Sequence, residues 1–127
     1  MSRTRFACLV EDDPSIAFVV NTILQREGWT VLQAGSAEEA RLRFTEVLEQ
    51  GEVISLIVAD RNLGGGETGE ELARNLRGQN PALATVVMSG DYEELAEEAE
   101  GVICLPKPFR KAALLDAIGR AQGMISP

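Results

Sequence analysis

Apolar residues in this chain arrive in short blocks of two kinds, and the kinds alternate. Residues 6–10, 53–59 and 84–88 are nearly continuous apolar runs, as in strands buried on both faces of a sheet. Between them, apolar positions recur at helical spacing. A first strand is expected over about residues 5–10. Asp13 then suits an N-cap and Pro14 the first helical position, where its missing N–H costs nothing. Ile16, Val19, Val20, Ile23 and Leu24 give that helix its inner face, and Gly28 fits its stop. A second strand over residues 30–34 precedes a helix opened by Ser36-Ala37-Glu38-Glu39, a capping-box pattern. Its apolar face is Ala40, Phe44, Val47 and Leu48. The third strand covers about residues 53–60. The next helix starts near Gly69 and ends before Gly78, with Leu72, Ala73 and Leu76 inward. A fourth strand over residues 84–89 leads to an acidic stretch, residues 92–100, which is the weakest helix. A fifth strand over residues 102–105 and a helix over about residues 110–122, with Ala113, Leu114, Ala117 and Ile118 inward, end the pattern.

Five strand–helix units of this length predict an α/β fold: a doubly wound, five-stranded parallel sheet, (βα)5, in three α/β/α layers. Right-handed crossovers cover both faces of such a sheet. Ligands then bind beyond the carboxyl ends of the strands, where the strand order reverses. Glu11, Asp12, Asp60, Ser89 and Lys107 all fall at those ends.

Composition narrows the chemistry. The 127 residues suffice for one domain with its own core. A net charge of −8 leaves little room for a basic face, so direct nucleic-acid binding is not expected. No apolar run reaches the ~18 residues that span a bilayer, and the lead into residues 6–10 does not read as a signal peptide. A cytoplasmic protein without membrane insertion is expected. The chain has no histidine, which excludes a histidine-based triad and a role as histidine phosphodonor, and with no Cys-x-x-Cys makes a zinc site untenable. Cys8 and Cys104 lie in apolar runs and read as buried free thiols.

Asp60 is the most informative position. A carboxylate closing a buried strand is costly unless something nearby wants its charge. Asp12 and Asp60, brought together, would repel, and a divalent cation with oxygen ligands relieves that. Mg2+ suits two carboxylates, a backbone carbonyl and several waters. The carbonyl of Asn62 is placed to point back at such a metal, and Glu11 would bind through a water or tune the field. The alternative is a solvated Glu11-Asp12-Asp13 loop that only caps the first helix. Asp60 suits a nucleophile that becomes an acyl phosphate. Lys107, in Leu105-Pro106-Lys107-Pro108-Phe109, supplies a cation, and its bond to Pro108 is a candidate cis peptide. The hydroxyl of Ser89 could bond a phosphoryl oxygen, or cap the following helix.

These residues, in this order, resemble a response-regulator receiver domain of two-component signalling. The resemblance rests on Val10-Glu11-Asp12-Asp13, Asp60 after an apolar strand, Ser89-Gly90 and Lys107-Pro108-Phe109, and covers nearly the whole chain. It implies a flavodoxin-like strand order 2-1-3-4-5 and a phosphoryl group accepted at Asp60 from a phosphohistidine. Mg2+ would be held by Asp12, Asp60 and the Asn62 carbonyl, with Glu11 completing the acidic pair, Ser89 as switch hydroxyl and Lys107 as signalling lysine. A sensor histidine kinase or phosphotransfer protein, and a downstream protein target, are the implied partners. One receiver over residues 1–127 without an output domain, monomeric or weakly dimeric, is expected, not a turnover enzyme. A binding module that never takes phosphate, and a Mg2+-dependent phosphatase with an aspartate nucleophile, are the alternatives. The phosphatase fits less well because Asn62 stands where its second aspartate belongs.

The departures from the family pattern matter too. Gly64 replaces the usual proline four residues after the acceptor. Gly69 falls nine residues after it, one later than usual, so the Gly64-Gly65-Gly66 loop is longer and expected to be more mobile. Cys104 replaces an aromatic that usually swings inward, so the usual hydroxyl-to-aromatic coupling does not carry over. The segment between Ser89 and Lys107 is short and acidic.

Overall fold

The computed structural model describes residues 4–90 and 101–123. The chain runs β1 (Phe6–Val10), α1 (Pro14–Arg26), β2 (Thr30–Ala34), α2 (Ala37–Glu49), β3 (Ile54–Asp60), α3 (Gly69–Arg77), β4 (Ala84–Ser89), β5 (Val102–Pro106) and α4 (Lys111–Gly123). All strand pairs are parallel, in the order β2-β1-β3-β4-β5. This is the expected flavodoxin-like, doubly wound α/β/α fold. The acidic helix expected over residues 92–100 lies outside the described residues.

Two apolar clusters sandwich the sheet. One packs α1 and α4 against Leu9, Leu56, Val58, Val86 and Met88. The other packs α2 and α3 against Cys8, Val10, Ile54, Ile57 and Ala59. The continuous apolar runs follow from this double cover: all six residues of β4 are buried, whereas edge strand β2 exposes Thr30 and Gln33. At the opposite edge of the sheet from the acidic residues, the Arg5 guanidinium lies 4.0 Å from the Trp29 ring centroid, a cation–π contact over a buried indole.

The helix ends explain the helix lengths. Asp13 caps α1, its Oδ1 accepting from the N–H groups of Ser15 (2.8 Å) and Ile16 (3.2 Å). At the other end, Gly28 (φ 93°) donates to the Gln25 carbonyl and Trp29 to that of Leu24, a Schellman closure. Gly51 and Glu52 repeat it on α2. Ser36 caps α2 as expected, but Glu39 reaches one residue further back, to the Gly35 N–H (2.9 Å). The complete capping box is at Thr68 and Glu71 on α3.

Some inner faces differ from expectation. Val19 and Leu48 are 51% and 60% exposed, because Ala17 on α1 and Ala37 on α2 meet the sheet beside the expected Val20 and Ala40. Ala113 is exposed, and Ala121 takes its place inside. Val53 lies outside β3 and is exposed. Cys8 is buried, Cys104 only half-buried, and neither forms a disulfide.

Candidate functional site

The ladders run past the strand ends and fix the site residues in register. Glu11 donates its N–H to the Ala34 carbonyl (3.0 Å), Arg61 to Met88 (2.8 Å) and Lys107 to Ser89 (2.8 Å). Glu11, Asp60, Ser89 and Lys107 therefore stand side by side on the carboxyl edge of the sheet. Asp12 joins them: one carboxylate oxygen from each of Glu11, Asp12 and Asp60 lies within 4.8 Å of the others.

Lys107 knits this group together. Its Nζ lies 3.0 Å from Glu11 Oε1 and 3.2 Å from Asp60 Oδ2. The second Glu11 oxygen accepts the Asp13 N–H at 3.1 Å, so both its oxygens are engaged and its side chain is only 1% exposed. The second Asp60 oxygen accepts the Asn62 N–H at 3.3 Å. Burial pushes the Glu11 carboxyl above its ordinary pKa, against the bonds from Asp13 and Lys107. Burial works against the Lys107 charge as well, but the carboxylates of Glu11 and Asp60 outweigh it and raise the ammonium. The expected Lys107–Pro108 cis bond is present.

The donor set suits a hard cation. Asp12 is exposed and Asp60 half-buried, and both offer oxygen. Asn62 faces Thr68 across an isolated antiparallel bridge. There Gly69 donates to the Arg61 carbonyl (2.9 Å) and Thr68 to the Glu71 carboxylate (3.0 Å), so neither claims the Asn62 carbonyl. Carboxylate and carbonyl oxygens of this kind fit Mg2+, which keeps several waters. Ser89 is buried at the end of β4, 1% exposed.

Several contacts that shape the site escaped the sequence reading. Gly69 matters for space: a Cβ there would stand 2.5 Å from the Asp60 carbonyl oxygen, so α3 can approach β3 only through glycine. The capping box was legible as Thr68-Gly69-Glu70-Glu71. Two ion pairs carried no sequence signal. Arg61 reaches Glu70 at 2.6 Å, and Arg41 on α2 grips Glu67 with both terminal nitrogens, at 3.0 and 2.5 Å. The Gly64-Gly65-Gly66 turn has φ of 75°, 64° and 90° and runs directly into Glu67, which Arg41 holds.

A groove of about 390 Å³ opens beside Lys107, lined by Ser15, Ile16, Val19, Pro108 and Phe109. Phe18, 70% exposed, sits on the same helix.

Comparison with known proteins agrees with this geometry. A family model described as the response regulator receiver domain matches residues 7–119. The transcriptional regulatory protein AruR of Pseudomonas aeruginosa is 32% identical over 122 residues, covering 92% of this chain and 48% of AruR. The chain thus spans about half the length of that relative. A response regulator receiver protein from Sinorhizobium medicae superposes with a TM-score of 0.79 at 24% identity, covering 98% of both chains. A sensor protein from Polaromonas sp. JS666 superposes at 0.75 with 25% identity, covering 98% of this chain and 100% of the other. Among the described residues no helix is long and apolar enough to cross a membrane. The chain belongs to the response regulator receiver domain family of two-component systems.

Proposed function

We propose that Asp60 accepts a phosphoryl group from a phosphohistidine on a sensor kinase or phosphotransfer protein, with Mg2+ at the acidic cluster, and that the phosphorylated domain signals by contact with a target protein. The observation that carries this reading is Lys107 Nζ, bonded at once to Glu11 and Asp60 beside the Asp12 carboxylate. A cation already held at the acceptor is in place for the oxygens of an incoming phosphoryl group.

An Asp60 carboxylate oxygen attacks phosphorus, the bond from phosphorus to the donor imidazole nitrogen breaks, and its electron pair stays on that nitrogen. The product is an acyl phosphate on Asp60. Lys107 exchanges its bond to Asp60 for one to a phosphoryl oxygen, and the Ser89 hydroxyl donates to another. Asp12, Asp60 and the Asn62 carbonyl are the metal ligands in this reading. Glu11, with both oxygens engaged, acts through the field or through a water. Bound there, Mg2+ offsets the charge that the carboxylates and the phosphoryl oxygens bring together.

The groove along α1 supports a protein donor. Its lining of Ile16, Val19, Pro108 and Phe109 borders Lys107, so a helical phosphohistidine protein seated there would face the acceptor edge.

Incubation with acetyl phosphate, followed by intact-mass measurement, tests the reading. Labelling is expected only with Mg2+ and only when Asp60 is present, so Asp60→Asn should abolish it. Absence of any mass shift in the wild type would overturn the proposal. Repeated turnover of a phosphomonoester would instead indicate a phosphatase. Lys107→Ala is expected to leave Asp60 phosphorylatable and to uncouple the signal.

A further inference from the structure

We infer that Arg41 and Glu67 are positioning residues for the phosphoryl site: their ion pair sets the Asn62 main chain against Asp12 and Asp60. The inference rests on the metal-dependent acceptor reading above and assigns a task to two residues outside the acidic cluster.

The loop from Arg61 to Gly69 has two limbs and an apex without side chains. The outgoing limb carries Asn62 and is anchored by Leu63, which packs against the cluster beneath α2 and α3. The apex is three consecutive glycines with positive φ, so nothing at the tip ties the limbs together. The returning limb carries Glu67 and Thr68. Thr68 is tied to the first turn of α3 by its capping box, and Glu67 is tied to α2 by Arg41, whose fork binds both Glu67 oxygens while its Nε lies 3.4 Å from Asn75 Oδ1 on α3. Arg41 thereby joins α2, the loop and α3 in one contact. A two-bond fork fixes angle as well as distance.

The limbs meet at their base. Thr68 faces Asn62 across the bridge, and Gly69 donates to the Arg61 carbonyl. A shift of Glu67 is passed through Thr68 to the backbone on which the Asn62 carbonyl sits. In a loop with one more residue than the family usually has and a glycine apex, the fork replaces stiffness that the chain itself lacks.

Glu67→Gln, nearly isosteric, and Arg41→Gln test the inference, with Mg2+ as the probe. Calorimetric titration of the unphosphorylated domain with Mg2+ alone should show affinity lowered about tenfold in either variant, the lower end of what groups supporting a metal ligand contribute. The acetyl phosphate labelling rate at saturating Mg2+ should stay near wild type. Hydrogen exchange should quicken at residues 62–67 and stay unchanged in the strands. Arg41→Lys, which keeps the charge and loses the fork, should fall between. Unchanged Mg2+ affinity and unchanged loop exchange would overturn the inference, as would a loss confined to the saturated rate. Failure of the wild type to bind Mg2+ would instead sink the acceptor reading, and the exchange comparison would still decide whether the fork holds the loop.

Discussion

Two charged groups flank the loop that follows Asp60, built from the same chemistry in different solvent. Glu11, Lys107 and Asp60 stand at the ends of β1, β5 and β3, with side chains 1%, 19% and 15% exposed. Arg41 and Glu67 are 39% and 29% exposed. The first group hangs from sheet ladders that leave its backbone no freedom. The second joins a helix to a glycine loop. When one member of a buried set is removed, the charge left behind is desolvated and uncompensated. When an exposed pair is broken, water replaces the lost partner. The comparison teaches a division of labour. In the proposed function, rigid strand ends carry the charges that would meet a phosphoryl group, and a solvent-screened fork steadies the more flexible loop beside them.

The sharpest way to break that comparison is to remove one partner from each group. Lys107→Met should lower stability by about 3 kcal/mol, because it strands the buried Glu11, and Glu11→Gln in the same chain should restore part of it. Glu67→Gln should cost under about 1 kcal/mol. Equal losses in urea unfolding would erase the distinction. Next comes Gly69→Ala, whose Cβ presses on the Asp60 carbonyl. It should cost about 1–3 kcal/mol and slow labelling of Asp60, and a wild-type denaturation midpoint would show that α3 does not need the close approach. Thr68→Ala removes the N-cap of α3 and should cost about 1 kcal/mol, with faster amide exchange confined to that first turn.

A further effect, confined to the alkaline side, is silent at neutral pH. Burial pushes the Cys8 thiol up to about 12, whereas an unfolded thiol ionises near about 8.5. Between those values the folded state holds the extra proton, so stability falls as pH rises, by up to about 1.4 kcal/mol per pH unit. Lys107 has the same sign: its pairing contributes fully below the ordinary lysine value of about 10.4 and is lost above it. Cys8→Ala should therefore flatten the decline of melting temperature between about pH 9 and pH 10. An unchanged slope would place the Cys8 thiol in contact with water.

The sheet and the charged edge were legible because their signals are local. A strand buried on both faces reads as a continuous apolar run, so β1, β3 and β4 were placed to within a residue, and each carried its polar residue at the carboxyl end. Helix faces were less legible. Val19 and Leu48 fit the inward spacing, but small residues outside the expected faces, Ala17 on α1 and Ala37 on α2, settle against the sheet and turn the larger ones outward. The loop was only partly legible, for a different reason. Its glycines are visible in sequence, but the Arg41–Glu67 contact joins positions 26 residues apart and leaves no pattern in either neighbourhood. Thr68-Gly69-Glu70-Glu71 was readable, and the crowding at Gly69 was not, because it depends on where α3 meets β3.

Borohydride reduction of the acetyl phosphate-treated protein tests the central claim most directly. Hydride converts an aspartyl phosphate to homoserine, which peptide mass spectrometry locates to a single residue. The account predicts homoserine at position 60, formed only when Mg2+ is present during labelling. Phosphate on another residue, or no reducible acyl phosphate in a chain that binds Mg2+, would contradict it.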